Sequence, residues 1–315
     1  MIDLRLVSVT GDINPQKIRL ADAHNHLWIT PVPDAAPDSP VLTDFDLLVR
    51  ELKTFAEATE GQAAQFDCQP GGFGRDARQL RALSTQSGVA VVCCTGYHLK
   101  KYAPSHWLWT ASAEHAAAHF IRELTEGVEE SPGDMQIRAG FIKIAFEEDP
   151  AETPPALLEA VGAAVRATGC GIEVHIEQGK AAEHILPLLE RYRVPADRIV
   201  LCHMDKRKDT GLHRDLIEAG ALLEYDTFTR TEKYPAPYPF LAQVIEAGLS
   251  GGVALATDMA RSEQWTKYGG ALLSRLLDAH ALGSVSGALS NEVRAALLGG
   301  NIVRRLTRKT RNDSP

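Results

Sequence analysis

Two histidines one residue apart, His24 and His26, close the short apolar run Ile18 to Ala23, and that spacing turns both imidazoles to one side of an extended chain. Further along, His175 ends the run that starts at Ile172, and His203 ends the run that starts at Ile199. Asp258 stands two residues beyond Ala256, and Lys143 lies inside the apolar stretch AGFIKIA at Ala139 to Ala145. Imidazole and carboxylate are common ligands of zinc and similar divalent cations. Four histidines and one aspartate exceed the needs of a single catalytic zinc, and two cations need a bridge. Lysine does not ligate as an ammonium, and burying it unpaired is costly. Reacted with carbon dioxide, Lys143 would become an anionic, bidentate carbamate able to bridge. Each feature alone has an ordinary alternative: a strand-end histidine is often a hydrogen-bonded core residue, and a lone lysine can snorkel or pair with a carboxylate. The whole set, in order and at separate strand ends, is what points to a metal centre.

These residues need elements that aim them into one place. Candidate strands are Ile18 to Ala23, Ala63 to Cys68, Val89 to Thr95, Ala139 to Ala145, Ile172 to His175, Ile199 to His203, Ala221 to Tyr225 and Val253 to Ala256. Between them, Asp44 to Thr59, Arg75 to Gln86, Ala111 to Glu126, Pro154 to Thr168, Ala181 to Arg191, Gly211 to Glu218, Pro239 to Ala247 and Gly270 to Leu282 carry helical apolar spacing. Strict alternation predicts an α/β fold with a parallel sheet, and eight units close a (β/α)8 TIM barrel. An open doubly wound sheet would normally place a glycine-rich loop after its first strand, where this chain has His-Asn-His. The expected organisation is a single domain over residues 1–315, with barrel strands at about 18–258 and C-terminal helices at about 270–307. A tail helix is expected over Ser290 to Thr307. In such a barrel, groups at the C-terminal strand ends share one mouth. Cys202, next to His203 on a strand, is expected to face the other way.

Composition narrows the function class. The net charge of −8 over 315 residues argues against a nucleic-acid partner. No stretch approaches the ~20 apolar residues of a membrane-spanning helix. There is no signal-peptide pattern, and the five cysteines suit small buried core residues. The expectation is a cytoplasmic protein acting on a small molecule, with a homodimer left open.

The motifs carry a family resemblance over nearly the whole chain. LADAHNHL, GGFGRD (71–76), VVCCTGYHLKKYAP (91–104), AGFIKIA (139–145), EVHIEQG (173–179), LCHMD (201–205), ATDMAR (256–261) and LLGGNIVRRL (297–306) follow in order. Together they resemble the phosphotriesterase family of the amidohydrolase superfamily. The resemblance implies an amidohydrolase-type barrel with two divalent metals, zinc first and manganese or cobalt as alternatives. His24, His26 and Asp258 would hold the more buried metal, and His175 and His203 the more exposed one. Carbamylated Lys143 and a hydroxide would bridge them, with Asp258 accepting the proton of the attacking hydroxide. Members hydrolyse lactones, including homoserine lactones and phosphorylated sugar lactones, and some cleave organophosphate triesters.

The substrate end departs from the homoserine-lactone pattern. A tyrosine is typical two residues after the Thr-Gly of the third strand; here that place holds His98, preceded by Tyr97. Where an arginine is typical after strand seven, this chain has Thr227. YDTFTRTEKY (225–234) and Arg261 look more like the relatives that act on phosphorylated sugar lactones. Arg230, Lys233 and Arg261 would then clamp an anionic group; solvent-facing loop charges are the alternative. Tyr102, Trp107, Trp109 and Trp265 would line an apolar wall or pack loop against barrel. The leading expectation is a lactone or carboxylic-ester hydrolase. Phosphotriester hydrolysis at the same site, and a barrel that binds without turnover, are the competing ones.

Overall fold

The computed structural model of the protein describes residues 4–131, 133, 136–227, 239–266, 273–276 and 289–309. It opens with a hairpin, β1 (Leu4–Ser8) and β2 (Gly11–Ile13), before the first barrel strand. The barrel strands are β3 (Leu20–Asn25), β4 (Ala63–Asp67), β5 (Ala90–Gly96), β6 (Phe141–Phe146), β7 (Ile172–Ile176), β8 (Ile199–Leu201), β9 (Leu222–Tyr225) and β10 (Val253–Leu255). They run parallel in strict sequence order, as the alternating pattern predicts.

Helices α1 (Phe45–Glu57), α2 (Ala77–Ser87), α3 (Ala113–Thr125), α4 (Pro155–Thr168), α5 (Ala182–Arg191), α6 (Thr210–Glu218) and α7 (Pro239–Glu246) alternate with the strands. Their starts are written locally: Asp44, Asp76, Ser112 and Asp209 each accept backbone N–H bonds of the first turn of α1, α2, α3 and α6. Helix α1 buries Leu48, Leu52 and Phe55, a stripe at four- and three-residue spacing.

The eight-stranded sheet ends at β3 and β10, and side chains close the seam between them. Asp22 accepts from Thr257 twice, at 3.0 Å from the backbone N–H and 2.5 Å from the hydroxyl. Asn25 Oδ1 accepts the Met259 N–H at 3.1 Å, and the Asp258 N–H donates to the His24 carbonyl at 2.8 Å. The closure therefore fixes His24 and Asp258 against each other.

The inside of the barrel is graded along its axis. Ala64, Phe141, Val200 and Leu222 pack where the strands begin, with Leu6 of β1 and Ile302, Val303 and Leu306 closing that end. Two residues further along, Lys143, Cys202 and Glu224 replace Phe141, Val200 and Leu222, all fully buried. Period-two alternation puts each of these on the same face as its apolar predecessor.

Gly96 controls how close β5 comes to Lys143. Its φ is +115°, and a Cβ there would lie 1.9 Å from the Lys143 carbonyl oxygen. That carbonyl accepts the Tyr97 N–H at 2.9 Å. Gly96→Ala is expected to lose more than about 2 kcal/mol of stability, read as a fall in denaturant midpoint, because both strain and displacement of β6 follow.

Three expectations need correction. The tail Ser290 to Thr307 is not one helix. It is α8 (Asn291–Ala295), a wide turn over Ala296–Gly300, and α9 (Asn301–Leu306). Gly299 breaks it with φ +147° because its Cα sits against β3, where a Cβ would meet the Ala21 backbone nitrogen at 2.6 Å. Apolar periodicity does not register that close approach. Cys202 does not face away from the centre: its sulfur lies 3.6 Å from Lys143 Nζ. Cys202 keeps the alternation set by Val200; it is His203, left-handed (φ 64°) beyond the end of β8 at Leu201, that departs from it, so the neighbours share a face. Of the helix expected over Gly270 to Leu282, Leu273–Leu276 forms a 3-10 turn and the rest lies outside the described residues.

Candidate active site

The mouth of the barrel brings together His24, His26, Lys143, His175, His203 and Asp258, which converge on one another within hydrogen-bonding or ion-pair distance. Lys143 Nζ is 3.4 Å from His24 Nε2. Asp258 Oδ1 is 3.7 Å from His24 Nε2 and 3.4 Å from His26 Nε2. His203 Nε2 lies 3.0 Å from His175 Nδ1. The His24 and His203 ring centroids are 5.0 Å apart, so the two groups form one cluster. His24, His26 and Asp258 are close enough to share an ion. His203 and Asp258 both adopt left-handed backbone, φ 64° and 45°, at the point where their strands end. Such conformations in non-glycine residues are held by surrounding structure and concentrate at functional sites.

Outer groups set the tautomer of each ring. His26 Nδ1 bonds Gln69 Oε1 at 2.7 Å, so Nδ1 carries the proton and Nε2 keeps its lone pair toward Asp258. His203 Nδ1 bonds Asp226 Oδ2 at 2.6 Å, which leaves the Nε2 lone pair facing His175. His24 Nδ1 faces Glu224 at 3.6 Å and Glu173 at 4.0 Å. Glu177 lies 3.5 Å from His175 Nε2, which favours a proton there and a lone pair on Nδ1. Two lone pairs then meet at 3.0 Å between His175 and His203. A shared cation relieves that repulsion, and the donor set fits one.

The electrostatics agree. Burial pushes His24 well below the usual imidazole range, with Lys143 adding to it. Burial likewise lowers His175 to about 4, and the His175 ring holds Glu177 down to about 2. His24 and His175 are therefore neutral ligands at ordinary pH. Lys143 is fully buried; burial draws its ammonium down, while Cys202, Cys68, Glu173 and Asp258 drive it up and prevail. The two thiols are themselves pushed well above their usual range by burial, so they stay neutral and the carboxylates carry that influence. Glu173 is raised to about 7 by burial and accepts the Cys68 thiol at 2.8 Å.

Sequence reading missed Gln69, Glu173, Glu224 and Asp226. The signal was there: Glu173 lies two residues before His175, and Glu224 and Asp226 sit two apart at the end of β9. Such acids in otherwise apolar strands have to face the polar interior.

A cavity of about 300 Å³ opens above the cluster. Gln69, His98, Tyr102 and Lys206 stand on its walls beside the five cluster residues other than Lys143. Residues 29–41 give it an apolar side through Ile29, Val32, Pro37, Pro40 and Val41. His98 is where a substrate-facing residue was expected. Tyr97 is not: it is fully buried and packs edge-on against Trp109, since adjacent residues of an extended chain point opposite ways. Arg261 was expected to clamp an anion, but it donates to the Asp38 carbonyl at 2.6 Å and ties down the 29–41 loop. Arg230 and Lys233 lie outside the described residues. Tyr102 lines the cavity, whereas Trp107, Trp109 and Trp265 pack against the core. Lys206, two residues beyond the β8 motif's Met204, is a pocket cation that sequence reading passed over.

An eight-stranded parallel barrel with polar side chains gathered at its C-terminal mouth defines the enzyme class of (β/α)8 proteins. The phosphotriesterase family model matches residues 5–282, and the chain belongs to that family; it is a hydrolase. The phospho-furanose lactonase of Mycoplasmopsis synoviae is 26% identical over 288 residues, covering 83% of this chain and 78% of that protein. A lactonase structure from Listeria monocytogenes shares the fold with a TM-score of 0.81 at 18% identity, over 97% of this chain and all of that one. The phosphotriesterase homology protein from Escherichia coli, solved with phosphate in its active site, has a TM-score of 0.77 at 21% identity, over 93% of this chain and 100% of that one. Among the described residues no helix is long and apolar enough to cross a membrane.

Proposed function

We propose that the protein is a binuclear-metal-dependent hydrolase that opens a lactone or carboxylic ester, with phosphorylated or otherwise anionic sugar lactones as its substrate class. The observation that carries this reading is the inward lone-pair arrangement: four imidazoles, a carboxylate and a buried amine converge, and outer acceptors set the rings for ligation. His24, His26 and Asp258 would hold one cation and His175 and His203 the other, with carbamylated Lys143 shared between them. Two divalent cations of the zinc, manganese or cobalt kind supply a shared water of low pKa and a Lewis acid for the scissile carbonyl.

The chain's own residues do the rest. Asp258, with its side chain 17% exposed, is placed to take the proton of the attacking water and release it to solvent. Lys206 offers a cation to an anionic group at the rim. The 29–41 loop excludes water from one side of the pocket. That same apolar wall favours phosphotriester hydrolysis as a second reading, since an uncharged triester would pack on it.

A screen of lactones with and without a phosphate group, plus an organophosphate triester, against metal-reconstituted enzyme tests the proposal. Turnover of phosphorylated lactones above the others supports it. Turnover of the triester alone selects the second reading, and a wild-type protein that takes up no metal favours a binding barrel without catalysis. Replacing Asp226 by asparagine is expected to weaken metal binding by about 10- to 100-fold, measured by chelator competition, because the amide no longer fixes the His203 tautomer.

A further inference from the structure

We infer that His98 meets the substrate as a hydrogen-bond donor, giving its Nε2–H to an oxygen of the group held at the histidine cluster. The inference rests on the hydrolase reading and deepens it by assigning a contact inside the pocket.

The backbone fixes the tautomer of His98. The Leu99 N–H donates to His98 Nδ1 at 2.7 Å. A peptide N–H only donates, so Nδ1 is the acceptor and the ring proton sits on Nε2. A second proton on Nδ1 would set N–H against N–H and break the bond. The His98 side chain therefore has one polar role left to offer.

Packing fixes where that role is played. The Tyr102 ring meets His98 edge-on at a 4.9 Å centroid distance. His98 lies 5.2 Å from His175 and 6.3 Å from His26, ring centre to ring centre, so it overlooks both halves of the cluster. The residue is 7% exposed, and the surface it shows lines the cavity. Among the described residues Nε2 has no hydrogen-bond partner, while Nδ1 is taken. A buried donor on the pocket wall with no partner among the described residues needs an acceptor from the occupant. It selects carbonyl, phosphoryl or carboxylate oxygens, the atoms that a lactone, its product or a phosphate would place there. A donor held in position also stabilises an oxygen that gains negative charge during reaction.

The test uses the full-length, metal-loaded protein with histidine-selective 15N labelling and inorganic phosphate as probe. The wild type is expected to show His98 with Nε2 protonated and Nδ1 accepting the Leu99 N–H, and the Nε2–H signal should move on adding phosphate. His98→Phe keeps a ring against Tyr102 without the donor; its phosphate dissociation constant should rise by about tenfold, as for a lost hydrogen bond to a charged group. His98→Gln, which restores an N–H near the Nε2 position, should stay within about threefold of wild type. A proton on Nδ1, an Nε2–H signal unmoved by phosphate, or equal phosphate affinity in His98→Phe would each overturn the inference. Should wild type turn over no lactone while the phosphate signature holds, the lactonase reading falls and the assignment of His98 stands.

Discussion

Replacing Lys143 by alanine is expected to lower kcat/KM by about three orders of magnitude or more, since a two-metal centre supplies several kcal/mol of transition-state stabilisation and each 1.4 kcal/mol is about tenfold. Bound metal should fall with it, chiefly at the His175 and His203 position, where two imidazoles alone remain. The amine lies 3.4 Å from His24 Nε2, inside the cluster that would hold the cations. Steady-state kinetics and elemental analysis of the same preparation check this. Loss of activity with wild-type metal content would remove Lys143 from the bridge. Circular dichroism of the same preparation checks the fold, because the substitution also leaves buried Glu173 without its cationic neighbour.

Asp258→Asn should cost about 10² to 10⁴ in kcat, the usual worth of a general acid–base group, with little change in thermal stability. Asparagine is the informative choice. It keeps an oxygen donor and tolerates the left-handed backbone that Asp258 adopts at φ 45°. The seam bond from its N–H to the His24 carbonyl is also kept. What is lost is the charge that accepts a proton, so the fall should appear in kcat more than in KM. An undiminished kcat would assign the proton transfer to another group.

Much of this architecture was legible in the chain. Continuous apolar runs such as VAVVCCT mark strands covered on both faces, and their alternation with amphipathic stretches gives a parallel barrel in sequence order. The strand-end histidines were legible for the same reason: once the barrel is assumed, their place in each run points them to the mouth. What the runs do not encode is where pleating stops. Strand β8 ends two residues before His203, so His203 comes to share a face with Cys202 through its own left-handed backbone, which no periodicity reveals. Tyr97 and His98 show the converse. Both have side chains suited to a substrate, but only the backbone path decides which one faces the pocket.

Partner choice was the other hidden layer. Arg261 follows the Asp258 motif and reads as an anion clamp, yet a carbonyl from a loop more than two hundred residues earlier takes its guanidinium. Lys206 carries no motif signal and stands on the pocket wall. Local sequence gives the charge; tertiary contacts decide whether it is free to act.

The central claim is best tested by anomalous diffraction from crystals of the protein grown with zinc. The account predicts two scattering peaks. One should lie about 2.0–2.2 Å from His24 Nε2, His26 Nε2 and Asp258, and the other at the same distance from His175 Nδ1 and His203 Nε2, with added density on Lys143 Nζ reaching both. No peak, one peak outside these groups, or an unmodified ammonium at Lys143 beside two bound ions would contradict it.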